Sequence, residues 1–165
     1  NKVPKNVKVV DLTRKTPTII VDTDQMKRVF ENVITNAVQA MPKGGTLEIR
    51  SEEVNGSLKI TFRDTGVGIS KKNLDKLFTP LFTTKAKGVG LGLSICKRIV
   101  DAHKGSISAE SEEGKGTCFT VVIPIKEERR KVKQKRKGGE KEWQEEQAYL
   151  LSTMTPAYEK FSQPS

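Results

Sequence analysis

Two stretches that alternate apolar and polar residues, 46–53 and 57–64, have Asn55-Gly56 between them. Asn-Gly between alternating strands is a strong signal for a two-residue hairpin, because both turn positions of that hairpin take a positive φ. The pattern therefore predicts two neighbouring antiparallel strands, beside which the other elements must be placed.

The other segments alternate between strand and helix patterns. The predicted strands are short and rich in Val, Ile or alternating residues, at 7–12, 18–21, 105–110 and 117–125. The predicted helices comprise a long one that starts after a cap at Asp22 or Asp24 and ends before the breaker at 42–45, and two others at 70–77 and 91–103. Residues 78–89 have no clear period and indicate a loop. This order predicts an α+β fold, with a mostly antiparallel sheet and helices stacked on one face.

Charge and composition limit the classes of function. The 165 residues carry a net charge of +10, which suits phosphate ligands, nucleic acid or anionic membranes. Low aromatic content argues against a base-stacking surface. We expect one domain over 1–125, and a basic linker with a disordered tail over 126–165. No apolar run is long enough to span a membrane, and the two isolated cysteines indicate a reducing compartment, so we expect a cytoplasmic domain.

Asp64 ends the second strand of the hairpin, and glycines follow at 66 and 68. Glycines let a ligand approach a turn closely, because no Cβ intervenes. A carboxylate at this point can accept a hydrogen bond from an exocyclic amine, such as that of adenine. An ordinary Asp-Thr-Gly turn is the structural alternative.

A glycine-rich stretch, GVGLGL over residues 88–93, leads directly into a predicted helix. The N–H groups and the dipole at a helix N-terminus favour phosphate, and glycines let phosphate come close. Lys85, in the preceding loop, can neutralise phosphate charge. The pattern is neither GxGxxG nor a P-loop, and a flexible hinge is the alternative.

Asn32 and Asn36 lie four residues apart on the long predicted helix, so they share a face. The amide oxygen of Asn36 is a hard ligand suited to Mg²⁺, which takes few protein ligands beside phosphates. Of the two asparagines, Asn32 is the one for which we expect a structural or supporting role. The single histidine, His103, is expected to cap or pack a helix end rather than to catalyse. Together, the amide pair, the carboxylate turn and the glycine-rich helix start predict a site for a magnesium-bound purine nucleotide.

These stretches resemble the catalytic and ATP-binding domain of sensor histidine kinases, in the wider group that includes gyrase, the large heat-shock chaperones and mismatch-repair ATPases. The matching motifs, in chain order, are ENVITNA (31–37), DTGVG (64–68), LFTPLFTTK (77–85), GVGLGL (88–93) and DAHKG (101–105). The resemblance covers about residues 7–125. It implies a Bergerat-type fold, a two-layer α/β sandwich with a mixed, mostly antiparallel sheet and three helices on one face. The nucleotide would lie between the long helix and a lid over about 78–89.

The resemblance also implies roles for single residues. Asp64 would bind the adenine amine, Asn36 would coordinate Mg²⁺ with support from Asn32, and Lys85 would meet the phosphates. Asn32, Asn36 and Lys85 form the implied catalytic set. The implied ATP contacts are Asn36, Asp64, Gly66, Gly68, Phe78, Phe82, Thr83, Thr84, Lys85, Gly88, Gly90, Leu91 and Gly92. Two departures from the family pattern are Val89, where Thr is common, and Lys104, where Gly is frequent.

A histidine kinase passes the γ-phosphoryl of ATP to a histidine on a separate helical dimerisation domain, and this chain shows no such helix pair. The implied partners are ATP, that domain and a downstream response regulator. Nucleic acid is not expected, and any membrane contact would be made by the parent protein. An ATP hydrolase of the same fold is disfavoured, because Asn32 holds the position where that class carries a general-base Glu. An anti-sigma-type protein serine kinase and a basic binding module acting through the tail remain as alternatives.

Overall fold

Five strands form one mixed sheet in the computed structural model, which describes residues 3–85 and 88–125. The strands are β1 (Val7–Leu12), β2 (Gly45–Val54), β3 (Ser57–Asp64), β4 (Ser106–Glu112) and β5 (Gly116–Pro124). Their order across the sheet is β1-β2-β3-β5-β4. β1 pairs in parallel with β2, and the other three neighbouring pairs are antiparallel. The predicted α+β class and mostly antiparallel sheet are confirmed.

Three helices accompany the sheet, namely α1 (Thr23–Gln39), α2 (Lys71–Leu74) and α3 (Gly92–Ala102). α1 is the crossover between β1 and β2, since parallel neighbours need a long connection. Asp22 caps α1, and its Oδ1 accepts a hydrogen bond from the backbone N–H of Gln25 at 3.0 Å. The apolar positions of α1 repeat at helical spacing, and those that are buried are Met26, Val29, Val33, Ile34 and Ala37.

The predicted hairpin is present between β2 and β3. Val54 pairs with Ser57 across the turn. Asn55 has φ 51° and Gly56 has φ 71°. Two successive positive φ values are the backbone of a type I′ turn, whose twist matches that of the flanking strands.

The core lies between the sheet and the helices, and it determines which way Asp64 points. Successive side chains of a strand lie on opposite faces of the sheet. In β3 and β5 the buried side chains alternate with less buried ones and are Leu58, Ile60, Phe62, Asp64, Thr117, Phe119, Val121 and Ile123. Asp64 is therefore the last side chain on the core face of β3, at the edge where the apolar core ends.

Two predictions about elements are wrong in detail. Residues 18–21 form no strand. Pro17, just before them, has no N–H to donate to a neighbouring strand, and the segment connects β1 to α1. Ile20 is accordingly 51% exposed. The helix predicted over 70–77 is limited to α2, because Leu77 and Phe78 turn to pack against the core. The tail predicted over 126–165 lies outside the described residues. No described helix has both the length and the apolar character to cross a membrane.

Candidate functional site

Asp64 is a buried carboxylate, only 2% exposed, at the edge of the core. Its Oδ1 accepts hydrogen bonds from the backbone N–H of Gly66 at 2.8 Å and of Thr117 at 3.3 Å. Burial raises the pKa of Asp64, and the two hydrogen bonds act in the opposite direction. Among the described residues no cationic side chain pairs with it and only Oδ1 is engaged, so Oδ2 is available to a hydrogen-bond donor of a ligand.

The loop after Asp64 is held between the end of α1 and the β4–β5 turn. Val67 donates its N–H to the carbonyl of Ala40 at 3.0 Å, and Gly114 donates to the carbonyl of Val67 at 2.8 Å. A Cβ on Gly66 would lie 2.5 Å from the Ala40 oxygen. Gly68 has φ 70°, and a Cβ there would collide with the backbone of Glu112. Both predicted glycines are therefore required by close backbone packing.

Ser111 and Thr117 also contribute to the site, although they were not predicted from the sequence. Thr117 lies opposite Asp64 in the β3–β5 pair and opposite Ser111 in the β4–β5 pair. The hydroxyl of Ser111 accepts from the N–H of Ile69 at 2.8 Å, donates to the carbonyl of Gly116 at 2.8 Å, and lies 2.9 Å from Thr117 Oγ1. The alternation of buried and less buried residues in β5 shows which of its side chains face the core. The sequence does not show that β5 pairs with β3, which is the pairing that brings Thr117 to Asp64.

The amide oxygen of Asn36 faces a cation. Lys85 Nζ lies 2.5 Å from Asn36 Oδ1 and 2.5 Å from Gln39 Oε1. Although the residue as a whole is exposed, desolvation of its side chain lowers the pKa of Lys85. Asn36 thus presents an oxygen to positive charge, which is the property a ligand of Mg²⁺ needs.

Asn32 lies one turn before Asn36 and meets the start of α3. Its Nδ2 donates to the carbonyl of Arg28 within α1 at 2.9 Å. A Cβ on Gly92 would lie 2.7 Å from Asn32 Oδ1, so glycine lets α3 begin close to this side chain. These contacts hold the Asn32 side chain against α1 and place it beside the first residue of α3.

The segment before α3 folds tightly on itself. Gly90 has φ 72°, and a Cβ there would lie 2.5 Å from the backbone carbon of Leu81. Leu91, the N-cap residue of α3, has no side-chain hydrogen bond to the first turn, unlike Asp22 at α1. The N-terminal dipole of α3 is therefore not satisfied by a capping side chain, which favours an anion.

The remaining predicted ATP contacts are spread over this segment. Phe78 packs against the core, and Phe82 is half-buried. The hydroxyl of Thr83 accepts from the N–H of Lys85 at 3.1 Å, and a Cβ on Gly88 would lie 2.6 Å from that hydroxyl. Thr84 and Leu91 are exposed. The structure brings Thr83 and Gly88 together with Lys85. Phe78 instead packs this end of the segment against the core.

α1 connects the parts of the site in order. Ala40 holds the loop that follows Asp64, Asn36 contacts Lys85, and Asn32 meets Gly92. Asn32, Asn36 and the C-cap residue Ala40 are spaced four residues apart, which is about 6 Å along the axis for each step. A carboxylate, an amide oxygen beside a cation, and a helix N-terminus therefore follow one another along one helix.

His103 has a structural role, as the sequence predicted. It is the C-cap residue of α3, with Nδ1 2.8 Å from the carbonyl oxygen of Ile99. Its Nε2 accepts from the backbone N–H of Asp22 at 3.0 Å, so the Nδ1–H tautomer satisfies both contacts. Among residues 3–85 and 88–125 no group of three or more His, Cys, Asp or Glu side chains is placed to hold a metal.

Comparisons with known proteins agree on one family. The family model described as histidine kinase-, DNA gyrase B- and HSP90-like ATPase matches residues 21–127. Sporulation kinase C of Bacillus subtilis (strain 168) is 44% identical over 105 residues, which are 64% of this chain and 24% of that kinase. Sensor histidine kinase ZraS of Escherichia coli (strain K12) is 42% identical over 109 residues, 66% of this chain and 23% of that kinase. The chain thus spans about a quarter of the length of these curated relatives.

Solved structures give the same result. The catalytic domain of histidine kinase ThkA, in a nucleotide-free form, superposes with a TM-score of 0.65 at 34% identity, covering 72% of this chain and 79% of that one. The mycobacterial sensor histidine kinase MprB gives a TM-score of 0.65 at 27% identity, covering 72% and 82%. The similarity therefore extends from the motifs to the fold.

Proposed function

Because the chain belongs to the family of histidine kinase-, DNA gyrase B- and HSP90-like ATPases, we propose that its site binds ATP together with Mg²⁺ and serves a histidine kinase. The resemblance inferred from the motifs is confirmed by that match and by the sensor and sporulation kinases among its relatives. The chain is thus the ATP-binding catalytic domain of such a protein. The assignment of single residues, the metal and the partners belong to the proposal.

The observation that carries the proposal is the carboxylate of Asp64. It is buried without a cationic partner among the described residues, and two backbone N–H groups fix its Oδ1. The exocyclic amine of adenine is a donor that fits Oδ2. Hydrogen bonding to a fixed, desolvated carboxylate is strong, because little water competes for it.

The phosphates would lie further along α1, between Lys85 and the start of α3. An ammonium and a helix N-terminus both attract phosphate oxygens, and glycine at positions 90 and 92 lets the phosphates approach the backbone. Asn36 would hold Mg²⁺, which, when bound, supplies positive charge to the phosphates. The contact of Asn36 Oδ1 with an ammonium supports this assignment, since it is an oxygen already directed at a cation.

A kinase fits the site better than a hydrolase. At Asn32 an amide stands where the related hydrolases carry a carboxylate, and an amide cannot take a proton from water. Its nitrogen is bonded to the carbonyl of Arg28. The proposed acceptor is a histidine on a helical dimerisation domain of the parent kinase, with a response regulator downstream. The proposal places the site in the cytoplasm, with any membrane contact made by other parts of the kinase.

Isothermal titration calorimetry of the chain with ATP, with Mg²⁺ and in EDTA, tests the metal assignment. Asn36→Ala should abolish most of the gain in affinity that Mg²⁺ provides, and should leave binding in EDTA little changed. Asn73→Ala, an asparagine on α2 outside the site, is the matched control. An unchanged magnesium effect in Asn36→Ala would show that another group holds the metal.

Phosphoryl transfer can be tested in a chimera in which residues 3–125 replace the matching catalytic region of sporulation kinase C. With radiolabelled ATP, a histidine kinase gives an acid-labile label on the helical part of the chimera, and Asn36→Ala lowers it. An acid-stable label would instead support the serine-kinase alternative. We expect no label on His103, because both of its ring nitrogens are engaged in hydrogen bonds.

A further inference from the structure

We propose that Gln39 is a positioning residue for the lid lysine, Lys85, and that Lys85 occupies the amide oxygen of Asn36 until a metal ion takes its place. The inference rests on the proposed function, since it concerns how the same site exchanges one cation for another. Nothing in the sequence motifs assigns a role to Gln39.

The evidence is a pair of contacts to one ammonium. Asn36 and Gln39 are three residues apart on α1 and so lie on the same face of the helix. Lys85 comes from the lid, 46 residues after Gln39, and its Nζ is 2.5 Å from the side-chain oxygen of each. Two amide oxygens that converge on one ammonium form charge-assisted hydrogen bonds, which are stronger than bonds between neutral groups.

The ammonium retains capacity for a further partner. A lysine has three N–H donors and no acceptor, and α1 uses two of them. Among the described residues no carboxylate oxygen pairs with Lys85, so neutral amides alone accompany its charge. The third donor and the unneutralised charge are what a phosphate oxygen would engage.

If Mg²⁺ binds to Asn36 Oδ1, the contact between that oxygen and the Lys85 ammonium must change. Mg²⁺ sits about 2.0–2.1 Å from its oxygen ligands. A metal ion on Asn36 Oδ1 and the Lys85 ammonium, now 2.5 Å from that oxygen, would be two cations in near contact. Their repulsion would move Lys85 away from Asn36. Gln39 Oε1 would then be the oxygen of α1 that still holds the lysine, and would keep it beside the phosphates.

This model predicts an effect of Gln39 that depends on the metal. Without Mg²⁺, Asn36 can hold Lys85 even when Gln39 lacks its oxygen, so Gln39→Met should weaken ATP binding less than about threefold. With Mg²⁺, Asn36 is taken, and a lost hydrogen bond to a charged group should weaken binding roughly tenfold. Methionine keeps the length and the helix propensity of glutamine and removes its acceptor.

A double-mutant cycle measures the coupling directly. Calorimetry with Mg²⁺ and ATP would compare the wild type, Gln39→Met, Lys85→Met and the double variant. If Gln39 acts through Lys85, the double variant should bind ATP within about a factor of two of Lys85→Met alone. Gln25→Met is the matched control, because that glutamine lies on the same helix and contacts Asp22 instead of the lid. Adenosine, which lacks phosphates, should bind all five chains equally.

The outcomes distinguish a failure of the proposed ATP binding from a failure of the role proposed for Gln39. If the wild type fails to bind ATP, the proposed function falls and the role of Gln39 falls with it. If ATP binds but the effects of Gln39→Met and Lys85→Met add, or if Gln39→Met weakens binding equally with and without Mg²⁺, only the positioning role is refuted. Non-additive effects that appear with Mg²⁺ support the exchange at Asn36.

Discussion

The backbone N–H of Thr117 donates to Oδ1 of Asp64 at 3.3 Å, from the position directly opposite in the β3–β5 pair. Gly66 donates to the same oxygen from the loop that follows. The carboxylate is therefore oriented by backbone on two sides, and neither donor can rotate away as a side chain can. Its second oxygen has a fixed direction, which is the condition for selecting one hydrogen-bonding pattern in a ligand.

We expect Asp64→Asn to bind ATP poorly while remaining folded. An asparagine Oδ1 can accept both backbone N–H groups, but its Nδ2 would then replace the free oxygen and meet the adenine amine as a second donor. Guanine carries a carbonyl oxygen at the corresponding position, so Asp64→Asn should also lower the ratio of ATP affinity to GTP affinity relative to the wild type. Calorimetry with both nucleotides measures this, and an unchanged preference would exclude contact between Asp64 and the base.

Thermal stability should distinguish Asp64→Asn from Asp64→Ala, in which the whole carboxylate is removed. Because burial raises the pKa of Asp64 above 3.8, the native state binds that proton more tightly than the unfolded chain does. Wild-type stability therefore falls as pH rises from 3.8 through the native value, and Asp64→Asn lacks this fall. Asp64→Ala leaves two N–H groups without their acceptor, at a cost of about 1–3 kcal/mol each if they stay buried. Thermal unfolding between pH 3.5 and 7 should thus show the Asn variant at least as stable as the wild type at neutral pH.

Local signals in the sequence were sufficient for much of the fold. Asn55-Gly56 determines its own turn, and α1 follows from a cap, an apolar stripe and a breaker within 20 or so residues of each other. The strand predicted at 18–21 was wrong because strand propensity depends strongly on tertiary context. Ile19 and Val21 pack against the core without pairing to a neighbouring strand, and Ile20 is exposed.

The site was predictable where its residues belong to motifs and unpredictable where it depends on distant pairing. Asp64 and Asn36 stand in local patterns with recognisable chemistry. Ser111 and Thr117 join the site through the pairing of β5 with β3, which are not consecutive in the chain. Gln39 joins it through a contact with Lys85, 46 residues later in the chain. No local pattern specifies such a contact.

Another prediction concerns the approach of α3 to α1. Glycine in a helix is normally less favourable than alanine by about 1 kcal/mol, so Gly92→Ala should stabilise a helix in isolation. Here the added Cβ would lie 2.7 Å from Asn32 Oδ1. We expect Gly92→Ala to be less favourable for stability in the wild type than in an Asn32→Ala background, because in the wild type the side-chain oxygen of Asn32 must first move away. Chemical denaturation of the four chains measures this, and equal effects in both backgrounds would show that Asn32 does not limit the approach.

The two cysteines should differ sharply in reactivity. Cys96 is fully buried in α3, its thiol lies 3.8 Å from the Val29 carbonyl, and burial raises its pKa to about 11. Cys118 is only half-buried. Since the thiolate is the reactive form, native chain treated with iodoacetamide at pH 8 should be alkylated at Cys118 and protected at Cys96. Mass spectrometry of peptides gives the two rates, with Cys118→Ser as the control, and equal rates would contradict the burial of Cys96.

The last prediction concerns the N-cap of α1. The Gln25 backbone hydrogen bond is the main reason why the pKa of Asp22 lies below its ordinary 3.8. A lowered native pKa contributes stability that is complete above 3.8 and is lost as pH falls through the native value. Asp22→Asn keeps a capping oxygen but does not titrate.

The melting temperature of the wild type should therefore exceed that of Asp22→Asn near pH 6, and the difference should shrink as pH falls below 3.8. The titration of Asp64 is common to both chains and cancels in the difference. Asp24→Asn is the matched control, because Asp24 lies in the first turn of α1 without capping it. A difference that stays constant from pH 6 to pH 3 would show that the charge of Asp22 contributes nothing to the cap.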